Sequence, residues 1–196
     1  MRKIRTGILI SGRGSNMGAL IEAARAEDYP AEITCVISNI PDAPGLAVAA
    51  AAGIATRVVD HRAHPGKPAF EKALLAALAE FGVEVIALAG FMRVLSADFI
   101  ARHEGRILNI HPSLLPQFKG LDTHARALAA GVKEHGCSVH LVTAELDDGP
   151  ILAQARVPVL PGDDEKSLAR RVLAEEHRIY PQAFGNFCGK LLKSQS

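Results

Sequence analysis

The sequence predicts an α/β protein: a doubly wound, mainly parallel sheet with an antiparallel strand pair in its C-terminal part. Three observations lead there. Short β-branched runs alternate with helical apolar stripes through the first two thirds of the chain. The stretch Val83 to Ala89 is apolar almost without interruption, as a strand covered on both faces requires. In the last third, Cys137–Thr143 and Ile151–Val159 are joined so closely, through Asp147-Asp148-Gly149-Pro150, that they pair most simply as antiparallel neighbours.

The elements follow in order. Thr6–Ile10 is a first strand, running into Ser11-Gly12-Arg13-Gly14-Ser15-Asn16 and then a helix with Leu20, Ile21 and Ala24 as its stripe. Strand, glycine loop and helix together aim backbone N–H groups and a helix dipole at an anion. The loop is neither a P-loop nor a dinucleotide fingerprint, because the later glycine and the Lys-Ser/Thr pair are missing. A tight turn that simply needs glycine is the plain alternative to a small phosphate site at Gly14, Ser15 and Asn16. Ile33–Ser38 is a second strand, Gly45–Ala52 a short alanine-rich helix and Thr56–Val59 a third strand. His61–Pro68 reads as a solvated loop with Lys67 near its end, followed by a helical stripe of Phe70, Leu74, Leu75, Leu78 and Phe81 that stops at Gly82. After the Val83–Ala89 strand, Met92 to Leu95 is either a packed connection or an apolar wall for a flat ligand. Ser96 is the expected N-cap of a helix reaching Arg102. The final helix is expected to bury Leu168, Val172 and Leu173, with Pro181 near its end and a frayed polar tail after Gly189.

Bulk properties narrow the function. A chain of 196 residues fits one domain, 1–196, with an N-terminal part to about 100, a C-terminal part to about 189 and the tail 190–196. A net charge of +1 speaks against a general nucleic-acid binder but leaves room for one local phosphate site. No run of about 18 apolar residues offers a membrane span. Cys35, Cys137 and Cys188 lie far apart without metal-type spacing, which is the pattern of reduced, buried thiols in a cytoplasmic protein.

The chemistry concentrates in Asn109-Ile110-His111-Pro112-Ser113-Leu114-Leu115-Pro116. Side chains two apart on an extended chain share a face, so Asn109 and His111 project together while Ile110 turns into the core. Pro112 keeps His111 extended. An amide and an imidazole therefore meet at a strand's carboxyl end, where open α/β sheets bind ligands. A lone His at a strand end is more often structural, so its company decides. The loop Pro112–Asp122 that follows is long for a mere connection.

Those motifs, with Ala89-Gly90-Phe91-Met92-Arg93, Gly136-Cys137-Ser138-Val139-His140 and Leu146-Asp147-Asp148-Gly149, occur in one order along essentially the whole chain. Together they closely resemble the folate-dependent phosphoribosylglycinamide formyltransferases, or glycinamide ribonucleotide transformylases. The resemblance implies a Rossmann-like formyltransferase fold and transfer of the formyl group of 10-formyltetrahydrofolate to 5-phosphoribosylglycinamide in purine biosynthesis. It implies Asn109, His111 and Asp147 as catalytic residues, with Gly14, Ser15, Asn16 and Glu176 on the ribonucleotide. For the folate it implies Lys67, Met92, Arg93, Val94, Leu95 and Asn109, with the loop Thr143, Ala144, Glu145, Leu146 and Asp147. The expected partners are these two small molecules, without nucleic acid, membrane or metal; a homodimer is compatible with the reading.

The reaction needs such residues in any case. An amine attacking a formyl carbon creates an oxyanion, at which the Asn109 amide and a protonated His111 can aim donors. A carboxylate such as Asp147 favours the imidazolium and can take part in moving the amine proton. Four rivals remain. A formyltetrahydrofolate deformylase would replace the amine by water, but its family usually carries an added N-terminal domain, for which the early first strand leaves no room. A formyltransferase acting on initiator methionyl-tRNA would need a further C-terminal domain, and a binding module has no use for the trio. A metal hydrolase built on His111, His124, His140 and Asp147 lacks a ligand motif. Two departures from the family pattern stand out: Asp148 where a glycine is expected, a second carboxylate that bears on the working pH, and Asp122 where His is frequent.

Overall fold

Seven strands form one sheet among residues 2–194, which the computed structural model describes. They are β1 (Ile4–Ile10), β2 (Ala31–Ser38), β3 (Ala55–Val58), β4 (Val85–Leu88), β5 (Ile107–His111), β6 (Glu134–Leu141) and β7 (Ile151–Pro158), in the order β3-β2-β1-β4-β5-β6-β7. The strands β1 to β5 pair in parallel; β6 runs antiparallel to β5, and β7 antiparallel to β6. The expected sheet is therefore present. The strand order reverses between β1 and β4, which opens a crevice at their carboxyl ends.

Alternation along the strands divides the core between two faces. On β1, Ile8 and Ile10 point to one face, with Met17 and Leu20 of α1 (Ser15–Ala24), Ala49 of α2 (Pro44–Ala51), Ala127 of α5 (Thr123–Ala129) and the stripe Leu168, Val172, Tyr180 and Phe184 of α6 (Glu165–Ser194). Leu9 points to the other, where Phe70, Leu74 and Leu78 of α3 (Lys67–Glu80) meet Phe99 of α4 (Ala97–Arg102). β4 is buried along its whole length, as its continuous apolar sequence requires.

Helix α6 departs from expectation. It runs through Pro181 and Gly189 to Ser194, so residues 190–194 are helical where a frayed tail was expected; 195–196 lie outside the described residues. Proline removes one ladder hydrogen bond, yet the stripe Ala183, Phe184 and Cys188 is buried on the sheet and Leu191 and Leu192 pack at its edge. Burial of that face outweighs the local break. Leu173, expected in the core, is only half-buried, because Val172, Glu176, Ile179 and Tyr180 occupy the inward face. Lys67 is the first residue of α3 and not part of the preceding loop.

One contact of α6 matters for the site. The Tyr180 hydroxyl, fully buried, lies 2.9 Å from the Leu88 carbonyl and 3.1 Å from the Leu108 carbonyl, sharing its single proton between β4 and β5. Burial raises its pKa well above the ordinary value, so the donor stays protonated. Glu176, one turn earlier on the same face, is thereby held over the start of α1.

Candidate active site

The glycine loop occupies the crevice. Gly14 is the N-cap of α1 with φ 65°, a left-handed conformation that glycine adopts without strain. A cavity of about 250 Å³ lies here, lined by Gly14, Ser15, Asn16, the exposed cation Arg13 and, across the crevice, Ala89, Gly90 and Met92. Asn16 Nδ2 donates to Glu176 Oε2 at 2.6 Å, and both residues are buried. Asn16 Oδ1 is buried without a partner. Burial raises the Glu176 carboxyl, with the Asn16 bond opposing. A carboxyl pushed towards its neutral form tolerates an anion nearby. The sequence motif did not single out Arg13 as a lining cation.

Two strands further along the sheet, roughly 10 Å by the inter-strand spacing, the second group assembles. Asn109 and His111 project from one face of β5 while Ile110 is in the core, as their spacing dictates. His140 stands directly opposite Asn109 across the antiparallel β5–β6 pair. Asp147 arrives from the β6–β7 connection in a left-handed conformation, φ 49°. Its Oδ2 lies 3.5 Å from His111 Nδ1 and its Oδ1 3.7 Å from His140 Nε2, and the Gly120 N–H donates to Oδ2 at 2.9 Å. On the far side of the imidazole, His111 Nε2 donates to the Phe118 carbonyl at 3.0 Å. The expected trio is thus gathered within one cluster, and the loop 112–122 closes over it.

Sequence reading placed His140 in a family motif and in a rival metal set, but gave it no role in the transfer. Its Nδ1 faces the Leu141 carbonyl at 2.9 Å, an atom that can only accept, so Nδ1 carries the proton. Burial lowers the ring's pKa, against the Leu141 bond and the Asp147 charge, and keeps it neutral. Nε2 is then an acceptor, and Asn109 Nδ2 donates to it at 3.2 Å. This fixes which way the Asn109 amide faces.

The loop 112–122 is anchored at its first half. Ser138, fully buried, accepts from Leu115 N at 3.0 Å and donates to Ser113 O at 2.7 Å, while Gln154 Nε2 holds Leu115 O at 2.9 Å. Leu114 and Leu115 are buried. Asp148 is ion-paired with Lys119, so the second carboxylate beside Asp147 has a cation of its own. Asp122 begins α5 in a left-handed conformation, φ 56°, without a capping bond from its side chain.

The remaining expected residues surround these groups. Met92, Arg93 and Val94 are exposed, but Leu95 is buried in the core cluster that also holds Leu88 and Phe99. Lys67 Nζ lies 3.9 Å from Glu71 Oε1. Glu71 is itself buried and accepts the Ser96 N–H at 2.7 Å, which fixes the end of the Met92–Leu95 stretch. Thr143 is half-buried, and Ala144, Glu145 and Leu146 are exposed on the approach to Asp147.

Comparison with known proteins shows the family. A family profile described as formyl transferase matches residues 4–184. The phosphoribosylglycinamide formyltransferase of Escherichia coli is 46% identical over 186 residues, covering 95% of this chain and 88% of that protein. The trifunctional purine biosynthetic protein adenosine-3 of Gallus gallus is 48% identical over 181 residues, which is 92% of this chain but 18% of that longer protein. Among solved structures, the phosphoribosylglycinamide formyltransferase of Brucella melitensis matches with a TM-score of 0.92 at 58% identity, covering 95% of this chain and 96% of that one. This chain belongs to the formyl transferase family.

Proposed function

We propose that this protein transfers the formyl group of 10-formyltetrahydrofolate to the amine of 5-phosphoribosylglycinamide, a step of purine biosynthesis. The observation that carries the reading is the pair of sites on one crevice. An anion cavity at Gly14–Asn16 lies two strands from Asn109, His111 and Asp147. A phosphoribosyl group with a glycinamide arm spans that separation. The names of the E. coli and B. melitensis relatives support the same acceptor.

In this scheme Gly14 and Ser15 give backbone N–H groups to the phosphate at the start of α1, and Asn16 and Glu176 meet the sugar. Met92, Arg93 and Val94, with Lys67 and the loop Thr143–Asp147, hold the folate. Apolar side chains exposed at Met92, Val94 and Leu146 suit a flat ring system. The amine attacks the formyl carbon directly. Asn109 presents its remaining amide hydrogen to the oxyanion, oriented by His140. A protonated His111 is the second donor, with Asp147 on its Nδ1. Its Nε2 hydrogen is given to the Phe118 carbonyl, so the loop segment at Phe118 must give way as substrate enters. Asp147, through a water, takes the proton leaving the amine and passes it to the folate nitrogen as the bond from that nitrogen to the formyl carbon breaks. Atoms and charge balance: formylated amine and tetrahydrofolate are the products.

The test is the rate of folate deformylation with and without 5-phosphoribosylglycinamide. Turnover only with the ribonucleotide, yielding its formyl derivative, is the expected result. Equal turnover in its absence makes water the acceptor and overturns the transferase reading.

A further inference from the structure

Ser11 is the first residue after β1, in the crevice where the strand order reverses, and it is bonded in three directions. Its N–H donates to the Gly90 carbonyl at 3.1 Å, which crosses from β1 to the end of β4. Its hydroxyl oxygen accepts the Met92 N–H at 2.7 Å. Its hydroxyl hydrogen goes to Asn39 Oδ1 at 2.6 Å, at the end of β2. Asn39 is almost fully buried, with its amide nitrogen 3.2 Å from His61 Nδ1. Although Ser11 lines the anion cavity, its one hydroxyl proton is committed to Asn39, so it has no donor left for an anion.

The two chain segments that Ser11 joins are the ones given above to different ligands. Gly12–Asn16 follows it directly, and Met92 begins the exposed stretch Met92–Val94. That stretch is pinned at its far end by the buried Glu71, which accepts from the Ser96 N–H. At its near end the pin is the Ser11 hydroxyl. A bond lost there frees the first residue of the wall and the first residue of the loop together.

We propose that Ser11 is a positioning residue that sets the ribonucleotide loop and the folate wall relative to each other, so that both ligands depend on one hydroxyl. This rests on the function proposed above. The test is titration calorimetry of 5-phosphoribosylglycinamide and, separately, tetrahydrofolate against the wild type, Ser11→Ala and Asn16→Ala. Loss of a hydrogen bond of ordinary net strength predicts that Ser11→Ala weakens both ligands about five- to tenfold. In steady state both KM values rise by more than kcat falls. Asn16→Ala weakens the ribonucleotide alone. Should Ser11→Ala not fold, Asn39→Ala strips the acceptor from the Ser11 hydroxyl, and a smaller weakening of both ligands is expected. Weakening of the ribonucleotide only would make Ser11 part of the phosphate loop and overturn the proposal, as would unchanged affinity for both. A wild type that binds neither ligand instead overturns the functional reading on which it stands.

Discussion

The buried His135 makes stability depend on pH in a way that can be calculated. Its ring is fully buried on β6, 5.8 Å from the Phe118 ring and 5.2 Å from the His124 ring; neither nitrogen makes a well-formed hydrogen bond, although the Pro112 carbonyl is close enough to oppose the pKa shift. Burial, and then the neighbouring His124, lower its pKa to about 4. In the unfolded chain it titrates near 6.5, roughly the model-peptide value. The folded pKa lies below the unfolded one, so the unfolded state takes up the proton first. The contribution is complete above about pH 6.5 and is lost as pH falls towards about 4. Between pH 7 and pH 5 the linkage integral for this one group comes to about 2 kcal/mol. His135→Phe keeps a ring against Phe118 and His124 and removes the titration. Urea denaturation at both pH values checks it: the wild type should lose about 2 kcal/mol more than the variant on going to pH 5. At pH 7 the variant should be as stable or more so, since two unpaired buried nitrogens are gone. Should phenylalanine overpack the site, His135→Leu makes the same comparison. Equal pH slopes in wild type and variant would refute the assignment of that acid sensitivity to His135.

Two further outcomes follow from the site. His111→Ala should fold, with a melting temperature near wild type, and lose roughly 10²–10³ in kcat, the usual loss for one oxyanion donor; near wild-type turnover would remove His111 from the mechanism. Gly149→Ala places a Cβ 1.8 Å from the Leu141 carbonyl oxygen, so the segment carrying Asp147 must shift. A displacement of that order at a catalytic carboxylate is expected to lower kcat about 100-fold while the KM for the ribonucleotide holds, and unchanged kcat in steady-state assays would mean that the strain is relieved away from Asp147.

Local pattern carried most of the fold. Alternation on β1 sends Ile8 and Ile10 one way and Leu9 the other, and the unbroken apolar run around β4 marks a strand covered on both sides. Ser96 caps α4 as its residue type predicts, accepting from Phe99 N at 3.2 Å. The errors sit where tertiary burial overrides a local signal. Pro181 and Gly189 read as a helix ending, but the inward face around them is Tyr180, Ala183, Phe184 and Cys188, and burying that stripe keeps α6 helical to Ser194. Met92 to Leu95 stayed open between a packed connection and an apolar wall, because only the packing of α3 and α4 shows that Leu95 is buried while Met92, Arg93 and Val94 are exposed.

The site divides along the same line. Asn109 and His111 were legible because two-residue spacing on a strand fixes a shared face without knowledge of any partner. His140 was not, although the alternation in Cys137–Thr143 already set it on one face with Ser138. Its role depends on the register of an antiparallel pair, which puts His140 opposite Asn109 and Ser138 opposite His111. A slip of one residue would bring Val139 to Asn109, and no side chain would then orient the amide. Ser138 ties the loop 112–122 down, and His140 orients the amide. The β5–β6 register therefore does more than close the sheet: it aligns the loop and the amide with the same two residues of β5.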